Sequence, residues 1–124
     1  MIQLILGGAR SGKSRLAEQI AKDSGLAVSY VATAQALDAE MQQRIAHHQT
    51  QRPEHWQLIE EPYSLAERLQ QIDAPNQLIL VDCLTLWMSN LLMHEDENLQ
   101  ATECQKLLDV LPRLQSQIIL VSNE

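Results

Sequence analysis

A glycine-rich run near the start of the chain is the first feature that could do chemistry, because its spacing fits the pattern G-x-x-x-x-G-K-[ST]. Glycines let such a loop turn tightly and bring successive backbone N–H groups onto phosphate oxygens. The ammonium group of Lys13 could reach the β- and γ-phosphates of a nucleotide, and the hydroxyl of Ser14 could ligate Mg²⁺. The guanidinium of Arg10 is either a further phosphate contact or a solvated side chain. The run predicts a phosphate-binding loop made of Gly7, Gly8, Ala9, Arg10, Ser11, Gly12, Lys13 and Ser14.

An acidic residue, Asp82, closes an apolar run over 78–81. In a nucleotide-binding domain, a carboxylate at such a strand end holds Mg²⁺ through water or polarises a nucleophile. The alternative is an aspartate that caps the following helix. The phosphate loop favours the metal role, so we expect Ser14 and Asp82 to serve a Mg²⁺ ion that accompanies GTP or ATP as substrate.

Two adjacent histidines, His47 and His48, lie in the segment 37–50, whose pattern predicts a helix. At about 100° per residue, His48 falls on the apolar stripe of that helix, whereas His47 lies on another face beside Arg44. An adjacent guanidinium favours the neutral imidazole, which is the nucleophilic form, and the same guanidinium could grip a phosphate. The alternatives are two solvated side chains, or a metal site for which the sequence offers no suitably spaced third ligand.

The elements that must position these residues alternate between strands and helices. The strands are continuous apolar runs, which indicates that both faces are covered, as in the parallel sheet of an α/β domain. Ser64 is predicted to cap one helix in a capping box with Glu67, and Pro112 is a point of interruption in another. The predicted strands are 2–6, 26–32, 78–82 and 117–121, and the predicted helices are 13–24, 37–50, 65–71, 84–93 and 101–114.

Composition narrows the class of protein. The 124 residues predict one domain over 1–124, with nine Lys plus Arg against sixteen Asp plus Glu and a net charge of −7. This acidic balance argues against a broad nucleic-acid surface and against a polybasic membrane patch. No apolar run approaches the roughly 18 residues of a membrane span. Two cysteines make no disulfide framework, and no signal peptide is recognisable, so we expect a cytoplasmic protein.

These motifs together resemble the bifunctional adenosylcobinamide kinase / adenosylcobinamide-phosphate guanylyltransferase family of cobalamin biosynthesis. The resemblance runs along the whole chain, and the motifs around the histidine pair and after Asp82 are its specific part. The segments that carry it are GGARSGKS at 7–14, YVATAQALDAEMQQRIAHHQTQRPEHW at 30–56, EEP at 60–62 and VDCLTLWMSNLL at 81–92.

The resemblance implies two reactions within a RecA-like P-loop NTPase fold, a three-layer α/β domain with a mainly parallel sheet. In the first, an NTP phosphorylates the aminopropanol hydroxyl of adenosylcobinamide. In the second, GTP transfers GMP to adenosylcobinamide phosphate, giving adenosyl-GDP-cobinamide and pyrophosphate. By motif position the second reaction passes through a guanylylated His47.

The resemblance also assigns further residues to the nucleotide site. Glu60 matches one of the family's acidic positions, although a surface carboxylate in a turn is the alternative for this residue. Asp82 matches the other. The remaining positions implied to contact the nucleotide are Ala32, Thr33, Ala34, His48, Gln49, Thr50, Gln51 and Arg52.

The family pattern continues past residue 124, so we expect the domain to be C-terminally incomplete here, with a homo-oligomer, by resemblance a trimer, as the family's assembly. Two other functions stay open at this point. One is a small-molecule P-loop kinase without a covalent step, which would not need His47. The other is an inactive, truncated module that binds GTP without forming an adduct.

Overall fold

The structure is a computed structural model that describes residues 2–7, 12–35, 39, 42–43 and 52–123. The strands of the described chain are β1 (Ile2–Gly7), β2 (Ala27–Ala32), β3 (Gln57–Glu60), β4 (Gln77–Asp82) and β5 (Gln117–Asn123). The helices are α1 (Lys13–Asp23), α2 (Leu65–Ile72), α3 (Leu84–Leu92) and α4 (Leu99–Val110), and a 3₁₀ turn (Leu111–Arg113) follows α4. The predicted helix over 37–50 lies outside the described residues except at 39, 42 and 43, which are helical.

The sheet has the strand order β1-β5-β4-β2-β3, and every pairing between these strands is parallel. β4 lies in the middle, and its residues from Leu78 to Val81 are at most 1% exposed. A strand with a helix layer on each face needs apolar side chains at every position, which explains its uninterrupted run. The predicted parallel α/β sheet is therefore confirmed.

Alternate residues of β4 divide the core into two clusters. Leu78 and Leu80 face α1, where they pack with Ala17 and Ala21. Ile79 and Val81 face the other side and belong to the cluster formed with α2, α3 and α4. Because side chains alternate across a strand, each face receives its own helix layer. The result is the predicted three-layer architecture.

The edges of the sheet differ from the prediction. The pattern assigns no strand to Gln57–Glu60, yet this segment pairs with β2 as β3. An edge strand has one neighbour and needs less burial, so β3 lacks the apolar run that marked the other strands. At the opposite edge, β1 was expected to be buried, but Ile2, Leu4 and Leu6 are about half exposed. Their face of β1 extends beyond the part of the sheet that α3 and α4 cover within the described chain.

Two helix boundaries also differ from expectation. Ser64 makes no side-chain capping bond at the start of α2. Instead, the Oε2 atom of Glu61 accepts hydrogen bonds from the backbone N–H groups of Tyr63 and Ser64, at 3.2 and 3.0 Å. A carboxylate is the stronger acceptor, and an ion pair with Arg68 at 3.3 Å holds Glu61 in place. The predicted capping box between Ser64 and Glu67 is therefore wrong.

α4 begins at Leu99, two residues before the predicted start, and it ends at Val110. The chain then tightens into the 3₁₀ turn that contains Pro112. Proline has no N–H to donate to the preceding turn, so the predicted interruption at this residue is confirmed. None of the helices in the described ranges has the length and apolar character needed to cross a bilayer.

Candidate functional site

Four strands bring predicted site residues to one edge of the sheet. Gly7, Ala32, Glu60 and Asp82 are the last or near-last residues of β1, β2, β3 and β4, and the strands run in the same direction. The register pairs Ala32 with Glu60 on one side and with Asp82 on the other. The carboxyl edge of a parallel sheet is where ligands bind in open α/β folds. The candidate site is this edge together with the start of α1.

The entry to α1 has the backbone of a phosphate-binding turn. Gly12 is the N-cap residue and has φ 80° and ψ 13°, in the left-handed region. A Cβ at this position would meet nothing within 4 Å, so the backbone conformation alone requires glycine. Lys13 and Ser14 follow in the first turn of α1, where the backbone N–H groups and the helix dipole favour an anion.

The loop and the strand-end carboxylate meet directly. The Oγ atom of Ser14 donates to Oδ2 of Asp82 at 3.4 Å, although the two residues are 68 positions apart. A hydroxyl and a carboxylate are the hard oxygen donors that Mg²⁺ prefers, so the residues present fit this ion. In the described ranges no three His, Cys, Asp or Glu side chains cluster as a metal site. Such a pair suits Mg²⁺ that takes its other ligands from phosphates and water.

A buried tyrosine supports the same carboxylate. The hydroxyl of Tyr30, in β2, donates to Oδ2 of Asp82. Burial raises the pKa of Tyr30 far above its usual value, and the charge of Asp82 adds to this effect. The phenol therefore stays protonated and remains a donor. The guanidinium of Arg52 lies over the tyrosine ring, 3.8 Å from its centroid, and pairs with Glu18 at 3.8 Å.

Thr33 is fully buried, and its hydroxyl is engaged by the backbone beyond β4. Its Oγ1 atom donates to the carbonyl oxygen of Cys83 at 2.7 Å and accepts from the N–H of Cys83 at 3.0 Å. The Asp82–Cys83 peptide bond is cis. The side chain of Thr33 thus holds the turn that follows Asp82, and it does not open onto the site.

Cys83, not Asp82, is the N-cap residue of α3. Its Sγ atom accepts a hydrogen bond from the N–H of Leu86 at 3.4 Å, and burial raises the pKa of its thiol. The helix-capping alternative for Asp82 is therefore wrong. The carboxylate of Asp82 faces Ser14 and Tyr30 instead.

The other predicted positions are placed as follows. Ala34 is half-buried just after β2, Glu60 is exposed at the end of β3, and the side chain of Arg52 is 8% exposed over Tyr30. Site residues that lie outside the described part of the chain are Gly8, Ala9, Arg10, Ser11, Arg44, His47, His48, Gln49, Thr50 and Gln51.

Two residues near the site escaped the sequence analysis, namely Tyr30 and Asn90. Each is a polar side chain inside a mostly apolar element, which is the signal that could have found them. The amide of Asn90 donates to the carbonyl oxygens of Thr33, at 2.8 Å, and Pro62, at 3.1 Å. α3 thereby joins the loops that follow β2 and β3.

Among solved structures, the RadB recombinase is similar in fold. Its TM-score is 0.62 at 22% sequence identity, and the match covers 98% of this chain. The chain spans about 60% of the length of that structure. At this level of identity the likeness shows the fold alone, an α/β domain with a parallel sheet.

Curated relatives are similar in sequence along the whole chain. The bifunctional adenosylcobalamin biosynthesis protein CobP of Pseudomonas aeruginosa is 56% identical over 124 residues, covering 100% of this chain and 72% of that protein. The bifunctional adenosylcobalamin biosynthesis protein CobU of Escherichia coli is 39% identical over 137 residues, and that of Salmonella typhimurium is 38% identical. Each of these two alignments covers 100% of this chain and 75% of the relative.

The match to a family model covers residues 3–124, which include the phosphate loop, the histidine pair and the site-edge carboxylates. This range holds every segment on which the resemblance rested. The chain belongs to the cobinamide kinase / cobinamide phosphate guanyltransferase family.

Proposed function

We propose that this chain phosphorylates adenosylcobinamide with an NTP and then transfers GMP from GTP to adenosylcobinamide phosphate. Membership of the family supports both reactions and the corrinoid class of acceptor. The observation that carries the nucleotide half is the hydrogen bond between Ser14 and Asp82. It joins the predicted phosphate loop to the predicted metal carboxylate, as phosphoryl transfer requires.

In the kinase reaction, the acceptor's hydroxyl oxygen forms a bond to the γ-phosphorus of the NTP, and the bond to the β-phosphate oxygen breaks. The hydroxyl proton is lost and NDP leaves. Lys13 and the N–H groups at the start of α1 hold the phosphates and stabilise the charge that develops on them. Ser14 and Asp82 would hold Mg²⁺, which when bound would neutralise charge on the phosphate oxygens.

In the transfer reaction, we assign the nucleophile to His47. Its neutral imidazole nitrogen forms a bond to the α-phosphorus of GTP, and the bond to the β-phosphate oxygen breaks to release pyrophosphate. A phosphate oxygen of adenosylcobinamide phosphate then attacks the same phosphorus and displaces the imidazole. Two easier steps replace one difficult step. Arg44 is proposed to neutralise charge on the transferred phosphate.

The remaining residues are assigned to binding. Ala32, Ala34 and Glu60 lie along or beside the carboxyl edge, where the nucleotide would bind. The segment 48–52 is proposed to contact GTP. The homo-oligomer and its cytoplasmic setting stay predictions.

Covalent labelling tests the histidine step. The protein is incubated with Mg²⁺ and GTP labelled at the α-phosphate, denatured, and examined for retained label. We expect a label that is acid-labile and alkali-stable, that is lost in His47→Ala, and that is kept in the matched variant His48→Ala.

The other outcomes select among the alternatives. A folded protein that binds GTP, phosphorylates cobinamide and takes up no label would be a P-loop kinase without a covalent step. A folded protein that binds GTP and shows neither label nor phosphorylation would be a binding module. A label that depends on His48 and not on His47 would move the nucleophile to the second histidine.

A further inference from the structure

The hydroxyl of Tyr30 reaches Asp82 because of the register between β2 and β4. Ala32 is the direct partner of Asp82, and Tyr30 lies two residues earlier on the same face of β2. Two residues of strand span roughly 6.6 Å, which matches the reach of a tyrosine ring laid along the strand. A phenylalanine would fill the same space in the core but could not donate to the carboxylate. The core packing of Tyr30 therefore does not by itself account for the hydroxyl.

Both Ser14 and Tyr30 donate to the same oxygen of Asp82, namely Oδ2. Ser14 is itself a candidate metal ligand, so Tyr30 would be the partner of Asp82 that does not ligate the metal. Partners of this kind orient a ligand, and their loss weakens metal binding although they never touch the metal. Tyr30 has the geometry of such a partner.

The ring of Tyr30 is also fixed from its other side. The guanidinium of Arg52 lies 3.8 Å from the ring centroid, and it is held by the carboxylate of Glu18, in α1, at 3.8 Å. An Arg side chain that is 8% exposed and stacked on an aromatic face is a fixed support. Arg52 also follows directly on the segment 47–51 along the chain. The residue that stacks on Tyr30 is therefore the next one in the sequence after that segment.

We propose that Tyr30 is a positioning residue that orients the Asp82 carboxylate for the Mg²⁺ that accompanies the nucleotide. This inference rests on the proposed function, because it requires that Ser14 and Asp82 serve a Mg²⁺–nucleotide complex. In this inference, Tyr30 orients the carboxylate of Asp82 and Arg52 holds the tyrosine ring in place. Neither the phosphate loop nor the histidine pair performs this task.

The test is the Mg²⁺ dependence of nucleotide binding, which needs no turnover. A fluorescent GTP analogue is titrated at a series of Mg²⁺ concentrations and in EDTA, with wild type and with Tyr30→Phe. This substitution keeps the ring and its contact with Arg52 and removes only the O–H group. Tyr63→Phe is the matched control, because the Tyr63 hydroxyl bonds to Gln35 and not to Asp82.

We expect Tyr30→Phe to raise the Mg²⁺ concentration for half-maximal binding about tenfold, the usual cost of losing a partner of a metal ligand. Binding in EDTA should stay within about twofold of wild type, since the phosphate contacts of the loop do not involve the hydroxyl. Tyr63→Phe should match wild type in both conditions.

Two results would overturn the inference. One is a Mg²⁺ midpoint for Tyr30→Phe equal to that of wild type. The other is an equal loss of binding with Mg²⁺ and with EDTA, which would assign Tyr30 a purely structural role. Failure of the nucleotide-binding half of the proposed function gives a different result, because wild type itself would then bind no nucleotide, and the inference would fall with it.

Discussion

The side-chain amide of Asn90 donates to the carbonyl oxygen of Thr33, 57 positions earlier in the chain, at 2.8 Å. The same nitrogen reaches the carbonyl oxygen of Pro62 at 3.1 Å. From the same helix, the indole Nε1 of Trp87 donates to the carbonyl oxygen of Tyr63 at 2.8 Å. α3 therefore holds the two loops that leave the carboxyl edge after β2 and β3, beside the candidate site.

Replacing Asn90 tests this arrangement. Asn90→Ala leaves two partly buried carbonyl oxygens without their donor, so we expect a loss of about 1–3 kcal/mol in the free energy of unfolding. The matched variant is Asn98→Ala, because Asn98 is exposed and its side chain makes no capping bond to α4. That change should stay within about 0.5 kcal/mol. Urea unfolding measures both, and equal losses would contradict the role of Asn90.

Adjacent leucines of α4 test which face of the helix is in the core. Leu107 is 6% exposed and Leu108 is 66% exposed. Leu107→Ala should lower the free energy of unfolding by about 2–5 kcal/mol, because it removes packing and leaves a cavity. Leu108→Ala should change it by less than about 0.5 kcal/mol. Thermal and urea unfolding of the two variants are compared, and a reversed order would show that α4 packs through another face.

Substitutions at two glycines with similar backbone conformations distinguish an effect on stability from an effect on nucleotide binding. Gly12 has φ +80° and Gly25 has φ +71°, and neither position would crowd an added Cβ. Each substitution by alanine should cost about 1–2 kcal/mol of stability, because a Cβ disfavours the left-handed region. Gly12→Ala should also weaken nucleotide binding, since it shifts the N–H groups at the start of α1.

The measurement is nucleotide affinity alongside thermal unfolding. Gly25→Ala should be destabilised to a similar extent while it binds nucleotide as wild type does. Equal loss of affinity in both variants would mean that the effect of Gly12 comes from stability alone and not from the loop.

The carboxylate of Asp73 is expected to make the free energy of unfolding depend on pH. Its carboxylate accepts hydrogen bonds from the N–H groups of Gln115 and Ser116, both at 2.9 Å, and from the Ser116 hydroxyl at 2.8 Å. Burial alone would raise the pKa of Asp73, but these hydrogen bonds outweigh it and hold the pKa below its usual value of 3.8. A depressed carboxyl pKa stabilises the folded state above the unfolded pKa, and this stabilisation is lost as the pH falls through the folded pKa.

We therefore expect Asp73→Ala to lose about 1–2 kcal/mol of stability at pH 7, from the broken hydrogen bonds. The difference from wild type should shrink as the pH falls below the usual carboxyl pKa of 3.8 and through the lower folded-state pKa, where the wild-type carboxylate becomes protonated. Denaturant unfolding at pH 7, 4 and 2.5 measures it. A difference that stays constant over this range would show that Asp73 does not supply the titrating group.

Much of the site could be predicted from the sequence, because it depends on local patterns. The glycines and Lys13 of the phosphate loop lie within one short segment, and the apolar run before Asp82 marks a central strand without knowledge of its neighbours. The same local reading indicated the parallel sheet, since strands covered on both faces have no polar alternation. The assignment of His47 came from its motif, and this residue lies outside the described chain, so its role stays a prediction.

What only the tertiary structure decided depends on neighbours that are distant in sequence. β3 is a strand because β2 is beside it, and β1 is half exposed because the strand order places it at an edge. The contact between Tyr30 and Asp82 spans 52 positions and exists through the register of β2 with β4. Strand order and register are set by the packing of the whole sheet, whereas a local pattern specifies only the element in which each residue lies.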